Sequence, residues 1–451
     1  MDVRTFIAEL DATGELRHFD EPISPRFGIA RIIAAHDGEP LLFENLVGYP
    51  GWRLASGYVA QRAHFARALG CGVEALTERL TEAMAHPAAP RVVDRAPCQD
   101  VVLTGTDLNL DRVPIPRYHP QDGGPYITAG VAVIEDPDYG RNVSFHRLMR
   151  IAMKRDANSA PGLDPTRLVG RIVEQRGTHS AWRKLAEGLP MAVCIGVAPH
   201  VLLAAALSPP KGVDELAIAE AMAPTPTVKA VSQPLMIPAQ AEVVLEGILT
   251  HELATEGPFP DLSGTMDTTR EQPIFQVTAI THRHDPIFHA LLPAGLEHKN
   301  LMGMPREPTM YAEVNKVTTC TGVRITPGGC SWLHAVVQIE PQGPDDGRRA
   351  IEAAFRGHTS LKHVVIVDTD VDLHDPADVE WAIATRFQAD RDLLVLPDQP
   401  SSSLDPSARQ VPGQKARTTK MGLDATIPWE APRDGYLRVR YTSKDSKGEG
   451  E

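Results

Sequence analysis

The amino-acid sequence predicts a mixed α/β protein of several domains, and three features of the chain lead to this prediction. A chain of 451 residues exceeds what a single hydrophobic core usually organises. The hydrophobic pattern changes along the chain from helical spacing to short β-rich runs and then to alternating strands and helices. Hydrophobic residues are 42% and charged residues 23% of the chain, as in ordinary globular proteins, which favours a packed core in each part.

We expect three domains along the chain. Residues 1–100 form a helix-rich region, with helical spacing at 2–10 and at 60–86, where Gly70-Cys71-Gly72 interrupts the pattern. Residues 101–305 form a β-rich domain, and residues 306–451 form an α/β domain that ends in a polar tail.

The middle domain is predicted from short β-rich runs separated by Gly/Pro loops. The clearest runs are residues 130–134, 192–196, 242–246 and 274–278. Such runs suggest a barrel or a sandwich-like core. Helices are predicted at 164–188 and 213–223 as insertions between the strands.

Composition and charge argue against several functional classes. The formal net charge of −13 disfavours nucleic acid, because phosphate binding requires basic surface. The longest apolar runs are too short to span a bilayer, and the N-terminus lacks a secretory signal pattern. The five cysteines are scattered without a CxxC pair, which indicates a reducing compartment. We therefore expect a cytoplasmic enzyme that binds neither nucleic acid nor membranes.

The segment from residue 141 to 147 combines groups that suit an anionic ligand and a cation. On a strand, Asn142, Ser144 and His146 share one face, and Arg147 lies on the other. The amide oxygen of Asn142 can bind a hard cation, and Arg147 can hold a carboxylate with two hydrogen bonds. A surface strand with charged ends explains the same pattern.

Two other segments carry groups with possible chemistry. Glu256 and Asp261 are held five residues apart by a stiff Gly-Pro-Phe-Pro bridge, which suits two acids with different ionisation states. An ordinary Pro-rich loop is the alternative. Lys420, between hydroxyl residues and a glycine, can bind phosphate as a point charge, although a plain loop accounts for this pattern too.

Taken together and in this order, five segments resemble the UbiD family of prenylated-FMN-dependent decarboxylases. These segments are PYITAG at 125–130, NVSFHR at 142–147, AEVVLEG at 241–247, EGPFPD at 256–261 and KMGLDAT at 420–426. The resemblance implies an N-terminal α/β region, a split β-barrel flavin-binding domain and a C-terminal α/β oligomerisation domain. It also implies a homodimer or a higher homo-oligomer, and a flavin prenyltransferase that supplies the cofactor.

The resemblance further implies a flavin phosphate beside a divalent metal, usually Mn2+, with K+ nearby. Asn142 and Glu215 match two metal ligands of the family, and Gln175 stands where relatives have a histidine. His179 is an alternative third ligand. The residues that match the cofactor-binding positions are Asn142, Ser144, Phe145, His146, Arg147, Gln175, Arg176, Gly177, Glu215 and Lys420.

Arg147, Glu256 and Asp261 match the catalytic Arg–Glu–acid network of the family, with Asp261 as the proton donor. The implied reaction is reversible, non-oxidative loss of CO2 through a covalent adduct with the prenylated flavin. The alternative is an inactive relative that serves as a scaffold, and the glutamine at position 175 is the feature that favours it.

The run from residue 296 to 306 resembles the branch that acts on furan-dicarboxylate and pyrrole-2-carboxylate. By that resemblance His298 binds a ring heteroatom or a carboxylate, Arg306 binds a second carboxylate, and Leu301 also lies at the substrate. Arg306 can instead form an ion pair with Glu307 or Glu313. The expected substrate is a small aromatic or heteroaromatic acid of the furan, pyrrole or indole type. A hydroxybenzoate or an acrylic-type acid is the alternative.

Overall fold

The computed structural model describes residues 1–153, 162–174, 177–410 and 414–439, which form two compact units. The first unit comprises residues 1–308 with 327–332 and 404–406, and the second comprises the remaining described residues. The expected domains 1–100 and 101–305 both lie within the first unit. No helix in the described part of the chain has the length and apolarity needed to cross a membrane.

The α-helices of the described residues are short and lie mostly at the two ends of the chain or between strands. In chain order they are α1 (Val3–Ala12), α2 (Gly28–Ala35), α3 (Arg62–Leu69), α4 (Leu76–Ala85), α5 (Gly177–Lys184), α6 (Pro199–Ala206), α7 (Glu215–Met222), α8 (Leu296–Gly303), α9 (Glu307–Val314), α10 (Asp346–Gly357) and α11 (Pro376–Arg386). Local sequence sets several of their ends. The side chain of Asp2 accepts a hydrogen bond from Thr5 N, Asp375 caps α11 in the same way before Pro376, and α3 ends at Gly70 with φ of 64°.

The β-strands of the described residues form five sheets. In chain order they are β1 (Arg17–Phe19), β2 (Leu41–Phe43), β3 (Arg53–Ser56), β4 (Val92–Val93), β5 (Val101–Thr104), β6 (Tyr126–Ile127), β7 (Val131–Asp136), β8 (Gly140–Phe145), β9 (Leu148–Ala152), β10 (Leu163–Gly170), β11 (Leu189–Ile195), β12 (Thr227–Lys229), β13 (Met236–Pro238), β14 (Val243–Glu256), β15 (Phe259–Pro260), β16 (Met266–Asp267), β17 (Arg270–His282), β18 (Ile287–His289), β19 (Thr319–Ile325), β20 (His334–Glu340), β21 (His363–Asp368), β22 (Leu393–Pro400) and β23 (Arg417–Ala425).

A nine-stranded antiparallel sheet forms the centre of the first unit. Its strands run in the order β6-β9-β10-β17-β14-β11-β7-β8, and β5 also pairs with β17. The two faces of this sheet are buried in different cores. Val131 and Val133 pack in one core with α1, α3, α4, α6 and α7, whereas Ala132 and Ile134 pack in the other. Burial of both faces explains why these strands appear in the sequence as continuous apolar runs.

The remaining sheets of the first unit are small. Strands β1, β2, β3 and β18 form a four-stranded sheet, in which β18 pairs in parallel with β3. Strands β4, β12 and β13 form a second sheet, and β15 pairs with β16 in a short hairpin. That hairpin lies in the connection between β14 and β17, and it holds the loop that contains Asp261.

The second unit is built on a five-stranded mixed sheet in the order β19-β20-β21-β23-β22. The central pairs β20–β21 and β21–β23 are parallel, and the two outer pairs are antiparallel. Val364 and Ile366 pack in one core with Ala350 and Ile351 of α10, and Val365 packs on the opposite face. The strand–helix alternation predicted for this part of the chain corresponds to β20, α10, β21, α11 and β22.

The fold confirms the predicted α/β class and corrects one assignment. The helix predicted over 164–188 is wrong at its start, because residues 163–170 form β10 and the helix α5 occupies only 177–184. Leu168 and Val169 each pair with β9 on one side and β17 on the other. Pairing on both edges favours the extended form, and Pro165 is unfavourable inside a helix.

Candidate active site

Arg147 and Glu256 form a buried bidentate ion pair. Arg147 lies in the tight connection between β8 and β9, and Glu256 is the last residue of the long strand β14. Arg147 Nε donates to Glu256 Oε1 at 2.9 Å, and Nη2 donates to Oε2 at 3.1 Å. The Glu256 side chain is 0% exposed, and Tyr126 OH donates a further hydrogen bond of 3.0 Å to Oε1. The carboxylate is therefore oriented from two sides.

Two more carboxylates approach the same guanidinium from the connection between β14 and β17. Arg147 Nη1 donates to Asp261 Oδ2 at 3.2 Å, and Nη2 donates to Asp267 Oδ2 at 3.0 Å. The other oxygen of Asp261 accepts a hydrogen bond of 2.7 Å from the backbone N–H of Leu262. Arg270 donates to Asp267 Oδ2 at 2.6 Å. Strand ends and one hairpin thus bring together residues that are more than a hundred positions apart in sequence.

The opposite charges in this cluster stabilise the ionised forms of Arg147 and Asp267. Burial alone would lower the pKa of Arg147, but the charge and hydrogen bonds of Glu256, with the charges of Asp261 and Asp267, raise it above its ordinary value. Burial alone would raise the pKa of Asp267, but the hydrogen bond from Arg270 and the charge of Arg147 lower it. Arg147 is therefore a fixed cation among three acidic side chains.

A second polar cluster joins β8 to α7. Asn142 Nδ2 donates to Glu215 Oε1 at 2.9 Å, and Val143 N donates to Glu215 Oε2 at 2.8 Å. Glu215 is 4% exposed, and burial raises its pKa to about 7. Its hydrogen-bond donors within the described residues are neutral. A buried carboxylate with only neutral donors is a site at which a cation would be stabilised.

The first residues of α5 contact the face of β8 on which Asn142 and Ser144 lie. His146 Nδ1 donates to the carbonyl oxygen of Arg171 at 3.2 Å, so its Nε2 accepts a hydrogen bond from Thr178 Oγ1 at 3.0 Å. Ser144 Oγ lies 3.4 Å from the same hydroxyl. A Cβ atom at Gly177 would lie 3.1 Å from Asn142 Oδ1, a tight contact that glycine avoids. Burial lowers the pKa of His146 to about 4, and the imidazole is therefore neutral at pH 7.

His298, on α8, lies within electrostatic reach of Asp261 and Arg147. Its Nδ1 accepts a hydrogen bond of 3.1 Å from Ala294 N, so in the neutral ring Nε2 carries the proton. Burial lowers the pKa of His298 to about 4, although the charge of Asp261 acts in the opposite direction. The sequence predicted a hydrogen-bonding role toward the substrate, and this tautomer supplies a donor.

Two other predicted substrate residues, Arg306 and Leu301, contact protein groups in the structure. Arg306 donates to the carbonyl oxygen of Ala206 at 3.1 Å, and its guanidinium lies 5.4 Å from the ring centroid of Trp332. Leu301 is buried in the core that also contains α1 and α6. Their contact with substrate stays a prediction.

The remaining cofactor-binding predictions fall into three groups. Phe145 ends β8 and packs against the core of the first unit. Lys420 lies in β23 of the second unit, where Nζ donates to Thr359 O at 2.9 Å and burial lowers its pKa to about 8. Gln175 and Arg176 lie outside the described residues. Within the described ranges, no group of three or more His, Cys, Asp or Glu side chains is arranged to hold a metal.

Sequence reasoning missed three members of the cluster around Arg147 and Glu256: Tyr126, Asp267 and Arg270. Tyr126 belongs to the PYITAG segment at 125–130, but nothing local shows that its hydroxyl reaches Glu256. Asp267 and Arg270 lie between the loop of the β15–β16 hairpin and the start of β17. The pairing of Glu256 on β14 with Arg270 on β17 brings both residues close to Glu256. Predicting that β14 and β17 pair as a hairpin would have found them.

Comparison with known families identifies matches over most of the chain. Residues 7–84 match the N-terminal domain of 3-octaprenyl-4-hydroxybenzoate carboxy-lyase, the family called UbiD. Residues 91–296 match its Rift-related domain, and residues 299–425 match its C-terminal domain. The three matches follow one another in the family order.

Similar proteins are carboxy-lyases with different substrates. The anhydromevalonate phosphate decarboxylase of Methanosarcina mazei is 39% identical over 431 residues, which cover 94% of this chain and 96% of that protein. The gallate decarboxylase of Lactiplantibacillus plantarum is 30% identical, with 93% of this chain and 92% of that protein covered. The structure of HmfF from Pelotomaculum thermopropionicum with FMN is 37% identical, with a TM-score of 0.90 and coverage of 98% and 97%. An evolved dimeric form of HmfF with prFMN has a TM-score of 0.86 at 35% identity, with the same coverage.

Proposed function

This chain belongs to the UbiD family of carboxy-lyases, and we propose that it decarboxylates an unsaturated or aromatic acid with prenylated FMN as cofactor. The observation that carries the proposal is the cluster in which Arg147 holds Glu256 and Asp261 within hydrogen-bond distance. An acid that is held beside a fixed cation and a second carboxylate suits proton transfer to carbon. The FMN and prFMN complexes of HmfF support the cofactor assignment.

Each residue of the cluster has a distinct proposed task. When bound, prenylated FMN would supply an electron sink for the pair left behind by departing CO2. Arg147, a permanent cation, orients the substrate carboxylate and holds the two acids in place. Asp261 delivers a proton to the carbon that has lost CO2, and Glu256 keeps Arg147 in position for this step.

The polar cluster of β8, α5 and α7 suits the phosphate end of the cofactor and a cation. The N-terminal end of the α5 dipole attracts an anion, and Ser144 and His146 contact Thr178 in the first turn of this helix. The oxygens of Asn142 and Glu215 are hard ligands that suit Mn2+ or another divalent metal. We propose this pair as metal ligands, with Gln175 as a third ligand, K+ nearby and Lys420 toward the phosphate.

Glu215→Gln is expected to abolish stabilisation of the cofactor-free protein by Mn2+. The substitution removes the negative charge that a divalent ion would neutralise but keeps the size of the side chain. In the unmodified protein, Mn2+ at a hundredfold excess over its Kd would add about 3 kcal/mol to the free energy of unfolding. Thermal unfolding with and without Mn2+ measures this effect.

The control is Glu220→Gln in the same helix, where the carboxylate of Glu220 accepts a hydrogen bond from Thr225 N. An equal Mn2+ effect in both variants would remove Glu215 from the metal site.

Two substrate classes remain in competition. A small heteroaromatic acid of the furan or pyrrole type follows from the resemblance of residues 296–306 to that branch, and the donor tautomer of His298 supports it. For this class we propose His298, Arg306 and Leu301 as substrate-binding residues. A phosphorylated unsaturated acid is supported by the anhydromevalonate phosphate decarboxylase, 39% identical over almost the full chain.

Protein produced together with a flavin prenyltransferase is expected to carry a bound prenylated flavin and to release CO2 from one class of acid. Absorbance and mass spectra detect the cofactor. A panel of 2-furoate, furan-2,5-dicarboxylate, pyrrole-2-carboxylate, 3,4-dihydroxybenzoate, cinnamate and anhydromevalonate phosphate then separates the classes. Protein that stays colourless with added Mn2+ and K+ and releases no CO2 would favour an inactive scaffold.

We also propose a homodimer or larger homo-oligomer, which the dimeric form of HmfF supports.

A further inference from the structure

Asp267 and Glu256 together hold one edge of the Arg147 guanidinium. Nη2 of Arg147 donates to Glu256 Oε2 at 3.1 Å and to Asp267 Oδ2 at 3.0 Å, and Nε donates to Glu256 Oε1 at 2.9 Å. The hydrogen bond to Asp261 comes from the other terminal nitrogen, Nη1, and at 3.2 Å it is the longest of the four. Two acids therefore share the edge formed by Nε and Nη2, whereas Asp261 contacts Nη1.

The carboxylate of Asp267 is held by more donors than that of Asp261. Besides the bond from Arg147, Oδ2 accepts a hydrogen bond of 2.6 Å from Arg270 Nη1, and Oδ1 accepts one of 2.9 Å from Thr268 N. Asp267 also belongs to strand β16, whereas Asp261 lies in the loop between β15 and β16. Strand pairing and three donors therefore fix Asp267 more firmly than the loop fixes Asp261.

The cross-strand partner of Asp267 contacts the same guanidinium through its ring. Phe259 pairs with Asp267 across the hairpin of β15 and β16, and its ring centroid lies 5.2 Å from Arg147 Cζ. The ring is 3% exposed and packs against Tyr126, with 3.9 Å between the ring centroids. One short hairpin thus holds Arg147 by an ion pair and by a cation–π contact.

We propose that Asp267 is a positioning residue of the decarboxylation site, which keeps Arg147 in place while Asp261 and the substrate carboxylate use Nη1. The inference rests on the proposed function, in which Asp261 transfers a proton and Arg147 orients the substrate. An acid that gives up and regains a proton in every cycle cannot anchor Arg147 throughout. Asp267 has no part in that transfer and can anchor Arg147 at every step.

The charge of Asp267 has a second consequence, which acts on substrate binding. A carboxylate beside Arg147 repels any anionic substrate that binds to the same guanidinium. Asp267→Asn removes this repulsion and also weakens the hold on Arg147. The variant is therefore expected to bind an anionic acid more tightly but to decarboxylate it more slowly. Damage to the fold would weaken binding and slow turnover together, so the sign of the change in Kd separates the two causes.

The experiment compares Asp267→Asn, Asp267→Glu and Arg270→Gln with the unmodified protein, all loaded with flavin. The matched control is Glu271→Gln, which removes an exposed acid of β17 that bonds Thr255. Calorimetric titration with 2-furoate, anhydromevalonate phosphate and the neutral 2-furamide gives Kd. Release of CO2 from either acid gives kcat.

In Asp267→Asn, Kd of the acid that is turned over should fall by about 3- to 10-fold, and kcat by about 10- to 100-fold. Asp267→Glu keeps the charge, so it should recover part of kcat and leave Kd near that of the unmodified protein. Arg270→Gln removes a cation instead of an anion, so it should raise Kd. Binding of 2-furamide should change by less than about twofold in every variant, because it carries no charge. Glu271→Gln should match the unmodified protein in both Kd and kcat.

Three results would overturn the positioning role alone. These are a Kd that rises or stays the same in Asp267→Asn, a kcat within about twofold of the unmodified value, or loss of flavin from this variant. In each case CO2 release by the unmodified protein leaves the proposed decarboxylation intact. If the unmodified protein binds neither acid, or releases CO2 from neither, the proposed function fails and the positioning role fails with it.

Discussion

Asp261→Asn is expected to lower kcat by about 1000-fold or more, within the range that positioned proton transfer contributes. The carboxyl of Asp261 contacts Arg147 Nη1 and Leu262 N, so an amide of the same size can occupy its place. An amide cannot deliver a proton to carbon, and this is the step assigned to Asp261. The variant should keep its fold and its flavin.

Two measurements identify the step that is lost in Asp261→Asn. Steady-state CO2 release reports the full cycle, and rapid mixing with stoichiometric substrate reports a single turnover. If Asp261 acts only after CO2 has left, the variant releases CO2 once and then stops. Glu271→Gln is the control, because Glu271 is an exposed acid on β17 that bonds Thr255. A near-normal steady-state rate in Asp261→Asn would remove this residue from the catalytic assignment.

Glu256→Gln is the second substitution with a large expected effect, a fall in kcat of about 1000-fold, because groups that act as one unit fail together. Glu256 accepts two hydrogen bonds from Arg147 and one from Tyr126 in a fully buried place. Glutamine offers one oxygen and one NH2 group, so an amide donor must face a guanidinium or a hydroxyl. Arg147 then shifts toward Asp261 and Asp267, and the geometry for substrate and proton transfer is lost.

The stability of the Glu256→Gln variant is expected to fall as well. Breaking a buried ion pair typically removes about 3–5 kcal/mol, and the two remaining carboxylates on Arg147 reduce that loss. Thermal unfolding should therefore show a lower Tm but a folded protein. Tyr126→Phe is the matched control, since it removes one hydrogen bond from the same carboxylate and should lower kcat far less. Equal losses in both variants would assign the effect to packing around Tyr126 rather than to charge.

The double variant of Glu256 and Asp261 provides a further check on the shared role. If both acids act through Arg147, the combined loss in kcat should be much smaller than the product of the single losses. Losses that multiply would mean that the two acids act in independent steps.

Short-range patterns were sufficient to predict the fold class and most of the secondary structure. Continuous apolar runs predicted β7 and β11, because both faces of the large sheet are buried. Helical spacing with a glycine interruption predicted α3 and α4, because Gly70 at positive φ ends the first of them. The strand β10 was missed, because its pairing with β9 and β17 outweighs local preference.

The local sequence pattern was enough to identify the residue types of the site and the strand faces that they share. The strand period placed Asn142, Ser144 and His146 on one side and Arg147 on the other, and the structure shows the first three beside α5 and α7. Which groups meet across the chain depends on how the strands pair and pack. The partners Tyr126, Asp267 and Arg270 depend on strand register and on one hairpin. Such contacts join residues far apart in sequence, and no local period encodes the distance between them.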